Sequence, residues 1–240
     1  MTVRLTALVL DALHPERLAA FWAEALGWDV EPGGGGSVDL VPTDETSFRV
    51  HLRRVVHVKT GQNRIHFDLT TATAADQRDT VAGLLALGAR HVDIGQDPND
   101  THVVLADPEG NELCVLGPGN RFLAGCPRLG AVNCDGTHAL GQFWSAALGW
   151  PLVWDHDEET AVQSPDGVGP KITWSGPPLM QRHGPDRLHF HVAPAAGSTV
   201  PAAVDELLAL GSARLEIARA CPGAVALADV DGNAFCVVGS

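Results

Sequence analysis

The chain repeats itself. Phe21-Trp22 and Leu26-Gly27-Trp28 return as Phe143-Trp144 and Leu148-Gly149-Trp150, 122 residues later. Asn63-Arg64-Ile65-His66-Phe67-Asp68 returns as Asp186-Arg187-Leu188-His189-Phe190-His191, at an offset of 123. Leu84-Leu85-Ala86-Leu87-Gly88 returns ending at Gly211. Asp107-Pro108-Glu109-Gly110-Asn111-Glu112-Leu113-Cys114 returns as Asp229-Val230-Asp231-Gly232-Asn233-Ala234-Phe235-Cys236. Four blocks in one order at a nearly constant offset mean duplication of a unit of roughly 120 residues, far longer than a solenoid period. Gly117-Pro118-Gly119-Asn120 marks the break. The expected division is residues 1–118 for the first domain, 119–126 for a linker and 127–240 for the second.

Each copy has its own internal order. Residues 3–10 read as a strand. Leu18, Phe21, Trp22, Ala25 and Leu26 then share one helical face over residues 15–26, with Pro15 in the first turn and Gly27 as the stop. Strands fit 38–41 and 48–53, with the glycine run 33–36 read as a flexible turn. A strand at 65–69 restarts the pattern. A helix follows over 74–87, with Thr73 and Asp76 at capping-box-like spacing, then strands at 91–94, 102–106 and 112–116. The segment Asp107–Asn111 is the hairpin turn between the last two. Four modules result. One module alone leaves one sheet face bare, and pairing two lets those faces curve around a shared hollow where a ligand fits. Each copy is expected to pair its own two modules.

Composition narrows the partners. Sixteen basic residues face 29 acidic ones, for a net charge of −13, which argues against nucleic acid and anionic membranes. No stretch is as long as a membrane span, and the N-terminus carries no export signal. Five cysteines (Cys114, Cys126, Cys134, Cys221 and Cys236) make an odd number with no Cys-x-x-Cys pair. They read as reduced thiols in a cytoplasmic protein.

The helix ending in Phe21-Trp22, the strand around His66 and the Asp107 hairpin, with their second-copy counterparts, resemble the vicinal oxygen chelate (VOC) superfamily. That superfamily includes glyoxalase I, bleomycin-resistance proteins and extradiol dioxygenases; the glyoxalase-like-domain branch is the nearer likeness. The resemblance implies an α+β fold: two tandem glyoxalase-like domains, each of two βαβββ modules, with sheets curving around a shared cavity. It also implies metal ligands, mostly His and Glu, from the first and last strands of each paired module. His66 and His189 match one of these positions. Cys114 and Cys236 stand where Glu is usual, and Ala7 and a position near Ala131 where His is usual. The fourth falls around Arg49 to His51 and around Thr173 to Trp174. The usual ligand set is thus incomplete in both copies, and a divalent metal stays open as a cofactor.

Several residues are candidates for the hollow. His66 and Asp68 are two apart on a strand and share a face, with Phe67 turned to the helices. They are either a working His–carboxylate pair or a structural one. His189 and His191 repeat the spacing and, with Cys236, make a weak metal set suited to zinc or copper. Cys114 and Cys236 are otherwise small buried residues. Asp11, at the end of the first strand, is a helix-entry or cavity-rim residue. Asp135 stands at the matching position. His51 is a polar lining candidate, and Trp174 is the aromatic expected to stack on a flat ligand. Arg53-Arg54 with Lys59 and Arg64 form the local basic cluster, read as a solvated edge able to attract an anion.

Two functions compete. The first is a protein binding a small organic molecule, of the drug- or metabolite-sequestering type. The second is a lyase or isomerase acting on a small metabolite, with His66 or His189 as acid–base, with or without a divalent metal. A monomer or weak homodimer is expected. The second copy, with His191, Trp174 and the prolines 177, 178 and 185, should differ from the first in chemistry.

Overall fold

A computed structural model describes residues 1–97, 99–184, 186–216 and 223–239; Cys221 and Pro185 lie outside them. The first module holds β1 (Val3–Ala12), α1 (Pro15–Leu26), β2 (Asp29–Gly34), β3 (Ser37–Val41) and β4 (Arg49–Arg54). The second holds β5 (Ile65–Leu69), α2 (Ala74–Ala86), β6 (Arg90–His91), β7 (Val103–Ala106) and β8 (Glu112–Val115). The third holds β9 (Leu129–Asp135), α3 (His138–Leu148), β10 (Leu152–His156), β11 (Glu159–Val162) and β12 (Lys171–Ser175). The fourth holds β13 (Leu188–Pro194), α4 (Val200–Ala209), β14 (Ala213–Arg214), β15 (Val225–Ala228) and β16 (Ala234–Val237). The glycine run is less of a loop than its composition suggests. Gly33 and Gly34 continue β2, and the turn proper falls at Gly35 and Gly36, both at positive φ.

The helices begin and end where local chemistry says they should. Pro15 opens α1, and Gly27 closes it in the left-handed conformation at φ 71°. Thr73 caps α2 by accepting from the Asp76 amide at 3.0 Å, while Asp76 accepts from the Ala72 amide at 2.8 Å.

The modules pair across the duplication, which corrects the expected pairing within each copy. One eight-stranded sheet runs β14-β15-β16-β13-β1-β4-β3-β2 and joins modules one and four. The other runs β10-β11-β12-β9-β5-β8-β7-β6 and joins modules three and two. The seams are antiparallel, β1 on β13 and β5 on β9. The apolar helix side explains the crossing. Trp22 of α1 stands edge-on to Phe67 of β5 at 4.9 Å, and Trp144 of α3 meets Phe190 of β13 at 5.0 Å. Modules within a copy therefore stand back to back on their helix faces. That leaves the edges of β1 and β5 open to the other copy.

The repeated hairpins tie this arrangement together. Asp107, fully buried, accepts hydrogen bonds from the indole of Trp22 at 3.1 Å and from the amide nitrogens of Glu109 and Asn111. Glu109 then caps the entry to α1 by accepting from the amides of Leu13 and His14 at 2.9 and 2.8 Å. Asp231 does the same for α3 through the Thr137 amide and hydroxyl. The hairpin motif is structural: it clamps one module's turn onto the other module's helix.

Candidate functional site

The helices fill the space between the sheets, so each sheet turns its other face outward as a hollow. In the first hollow, strand register decides what lies on the floor. Val9 sits opposite His189 on one side and His51 on the other. Ala7 sits opposite His191 and Arg49, and Cys236 lies beside His191 on the next strand. Partners in register project to the same face, so His189, His191, Cys236, His51 and Arg49 share the floor with two small or aliphatic residues. Ligand atoms of His189, His191 and Cys236 come within 4.8 Å of one another, and all three residues are buried. The two imidazole rings are 5.1 Å apart.

The rest of that floor is organised by carboxylates. Asp39 holds the His51 Nδ1 at 2.6 Å and Arg49 at 3.0 Å. Burial pushes the Asp39 carboxyl up, but those two partners outweigh it and hold the group below the usual range. At the mouth, Asp11 is 2% exposed and pairs with Arg53 at 2.7 Å, with the His57 Nε2 3.7 Å away. A cavity of about 420 Å³ opens here, lined by Asp11, His57, His189, Leu215, Ala226 and Cys236. Toward the other end, a wider trough of about 620 Å³ runs past Asp39, His51 and His191.

The second hollow starts from the same plan. His66 lies opposite Asn133, and Asp68 lies opposite Ala131 and beside Cys114. His66 Nε2 and Asp68 Oδ1 are 3.3 Å apart. Burial disfavours the charged imidazole, but hydrogen bonds to Asp68 and Cys114, with the charge of both, prevail and raise His66 to about 10. Burial also holds the Cys114 thiol up, against the pull of His66. The cluster therefore keeps a proton on His66, beside Asp68 and a thiol whose ionisation burial disfavours.

A segment of the chain lies over this hollow. Leu123 of the linker is 3% exposed and packs over Gly130, where a side chain would collide with it. Phe122 meets Trp154 at 5.6 Å, and Lys171 lies 4.3 Å from the Phe122 ring centre while donating to its carbonyl. The remaining cavity, about 330 Å³, is bounded by Phe122, Leu123, Trp154, Asp68, Asn133 and Thr173.

Of the residues singled out from sequence, Asp11, His51, His189, His191 and Cys236 meet in the first hollow, and His66, Asp68 and Cys114 in the second. Trp174 is a correction in part: it borders the second cavity, but as a core residue. It is 1% exposed, belongs to the core and sits beside Cys134 on the helix side. The alternation of β12 puts Thr173, opposite Asn133, on the hollow face instead. The basic cluster is a correction too. Arg54 is exposed on Glu16, but Arg64 is buried against Asp135 at 2.8 Å, and Lys59 holds Glu112 at 2.5 Å. Sequence reading passed over Asp39, Asn133 and Lys171. A strand-by-strand alignment of the two copies would have found them, because each faces a residue already chosen.

The sequence profile of the Glyoxalase-like domain matches residues 7–116 and again 131–238. The chain belongs to the glyoxalase-like domain family. This places it in the VOC superfamily as a tandem duplication, with the expected α+β fold. Among solved structures, glyoxalase I from Zea mays is similar, with a TM-score of 0.69 at 13% identity, covering 99% of this chain and 92% of that one. A putative dioxygenase from Bacillus subtilis is similar at a TM-score of 0.62 and 12% identity, covering 99% and 85%. At such identities the likeness is one of fold. No curated protein matches the sequence. Among the described residues of this glyoxalase-like protein, no helix is long and apolar enough to cross a membrane.

Proposed function

We propose that this glyoxalase-like protein binds a small organic molecule in the first hollow, as a sequestering protein does. One observation carries the reading. Of two hollows built on one plan, the linker crosses the second and leaves about 330 Å³ there, while the first runs from a trough of about 620 Å³ to a mouth of about 420 Å³. That volume lies within the range of small-molecule sites, roughly 300–1,000 Å³. Leu215, Ala226 and Ala234 give an apolar wall, and His189 and Asp11 supply a few polar groups that fix orientation. A thermal-shift screen of the full chain against small organic metabolites and antibiotics should find a stabilising ligand. His189→Ala should weaken that ligand at least tenfold, and the ligand should be recovered unchanged. Its conversion to product would defeat the sequestering reading.

A second reading is a lyase or isomerase, favoured by the His189, His191 and Cys236 cluster. Two imidazoles and a thiol suit a borderline or soft ion such as zinc or copper. The His66, Asp68 and Cys114 cluster fits less well, since an ion would first have to displace the proton that His66 holds. Bound there, a divalent ion would polarise a carbonyl or enediolate oxygen. His189 would orient the substrate or move a proton at its free ring nitrogen. Cobalt(II) titration separates the two clusters. A thiolate-to-cobalt absorption band should appear, vanish in Cys236→Ser and persist in Cys114→Ser. A band lost only in Cys114→Ser would assign the ion to the wrong hollow.

A further inference from the structure

The described residues of the two segments that connect modules, 55–64 and 176–184 with 186–187, meet at a seam. Thr60 donates to the His183 carbonyl at 2.8 Å, and Gly61 packs so closely that a side chain would strike His183. Between them lies a chamber of about 140 Å³. Lys59, Arg64, Arg182, Arg187 and Asp186 line it. Each cationic side chain already has a carboxylate partner. Glu112 holds Lys59, Asp135 holds Arg64, Asp186 holds Arg182 at 2.9 Å, and Arg187 reaches Glu109 at 2.9 Å and the carbonyls of Asp11 and His57.

Two nitrogens in this lining are buried without a hydrogen-bond partner among the described residues. They are the Arg187 Nε and the His57 Nε2. Arg187 is 4% exposed, so solvent does not satisfy it. A guanidinium Nε–H can only donate. Leaving such a donor unmet costs about 1–3 kcal/mol, more for a charged group. What completes the chamber must therefore accept a hydrogen bond from the Arg187 Nε–H, and a bond to a guanidinium is strongest when the acceptor is an anionic oxygen.

We propose that this seam chamber binds a small oxyanion, a carboxylate or phosphate group, on Arg187 and His57. The site is separate from the floor of the first hollow, and the proposal stands whether or not that floor takes a ligand. The chamber shares His57, Arg182 and Asp186 with the mouth of the first hollow. The anion has two sources: free inorganic phosphate, or the acidic end of a molecule lying in that hollow.

Isothermal titration of the full chain with sodium phosphate and with sodium benzoate, against chloride at matched ionic strength, tests this. Saturable one-site binding of at least one of the two is expected. His57→Phe, which keeps the ring and loses the nitrogen, should weaken it at least tenfold. Arg187→Lys, which loses Nε, should do the same, and His156→Phe on exposed β10 should change nothing. Because Arg187 also ties Asp11 to Glu109, its variant has a structural risk that His57→Phe avoids. Phosphate binding that survives Cys236→Phe identifies the free anion. Benzoate binding that Cys236→Phe abolishes identifies an acid reaching in from the hollow. No saturable binding of either anion, or equal binding in His57→Phe, overturns the proposal.

Discussion

The two hollows share a backbone plan and differ in what is attached to it. Ala7, Val9 and Asp11 on β1 correspond to Ala131, Asn133 and Asp135 on β9. Arg49, His51 and Arg53 correspond to Lys171, Thr173 and Ser175, each in register with the same first-strand position. His189, His191 and Cys236 correspond to His66, Asp68 and Cys114. The instructive difference lies one strand further out. Asp39 stands opposite His51 and holds both His51 and Arg49 on the floor. Its counterpart opposite Thr173 is Ala161. With no carboxylate at that register position, the Lys171 ammonium turns to the Phe122 carbonyl and ring, and so ties the linker to the second hollow. The acid at this one register position thus distinguishes the wider hollow from the one the linker narrows.

The largest test of this comparison is to cut the chain. Each hollow takes two modules from different copies, so residues 1–118 and 127–240 expressed separately should each lack the partner strand of both seams. Far-UV circular dichroism and size exclusion should show loss of the native fold in each half, with recovery on mixing. Two independently folded halves would refute the cross-copy pairing. Next in size is Trp174→Ala. A fully buried Trp in the helix-side core should cost about 3–5 kcal/mol in denaturant unfolding, while Trp174→Phe leaves small-molecule binding unchanged. Lost binding in Trp174→Phe with little lost stability would put the ring in the second hollow after all.

Smaller is the effect of the linker latch. Lys171→Ala removes a cation–π contact and a charged hydrogen bond, worth together about 1–3 kcal/mol. Its clearer readout is access. Binding of an apolar fluorescent dye should rise from one site per chain to two in Lys171→Ala combined with Phe122→Ala. The mirror-image variant Asp39→Ala should leave the number of sites at one. A stoichiometry of two in the wild-type chain would mean the linker does not close the hollow.

Much of this was legible in the sequence because repeats and caps are local. The 122-residue offset, the helix at Pro15–Leu26 ended by Gly27, and the Thr73 cap all depend on residues near one another. The pairing of modules was not legible. Both pairings bury the same strand edges, and what decides between them is Trp22 on Phe67 and Trp144 on Phe190. These long-range contacts leave no periodic trace. Trp174 was misplaced for a related reason: a strand of period two turns a one-residue slip into the opposite face. The basic cluster read as solvated because its acids, Glu112 and Asp135, are 53 and 71 residues from Lys59 and Arg64.

The smallest effect separates the hollows by titration. His66 faces Asp68 on its own strand, Cys114 on β8 and Asn133 on β9. His189 has His191 where His66 has Asp68. With His66 raised from an ordinary 6.5 to about 10, the folded state keeps a proton that the unfolded chain releases. The stabilisation is therefore complete below pH 6.5 and is lost as pH climbs toward 10. The neighbouring thiol, held up by burial, stays neutral over most of that window. The His66 side chain is 24% exposed, so solvent screening reduces the loss to about 1 kcal/mol. Urea unfolding at successive pH values should show this decline in the wild type. Asp68→Asn should flatten it and His191→Asn should leave it alone. A decline of equal slope in Asp68→Asn would show that the pair is not what holds the proton.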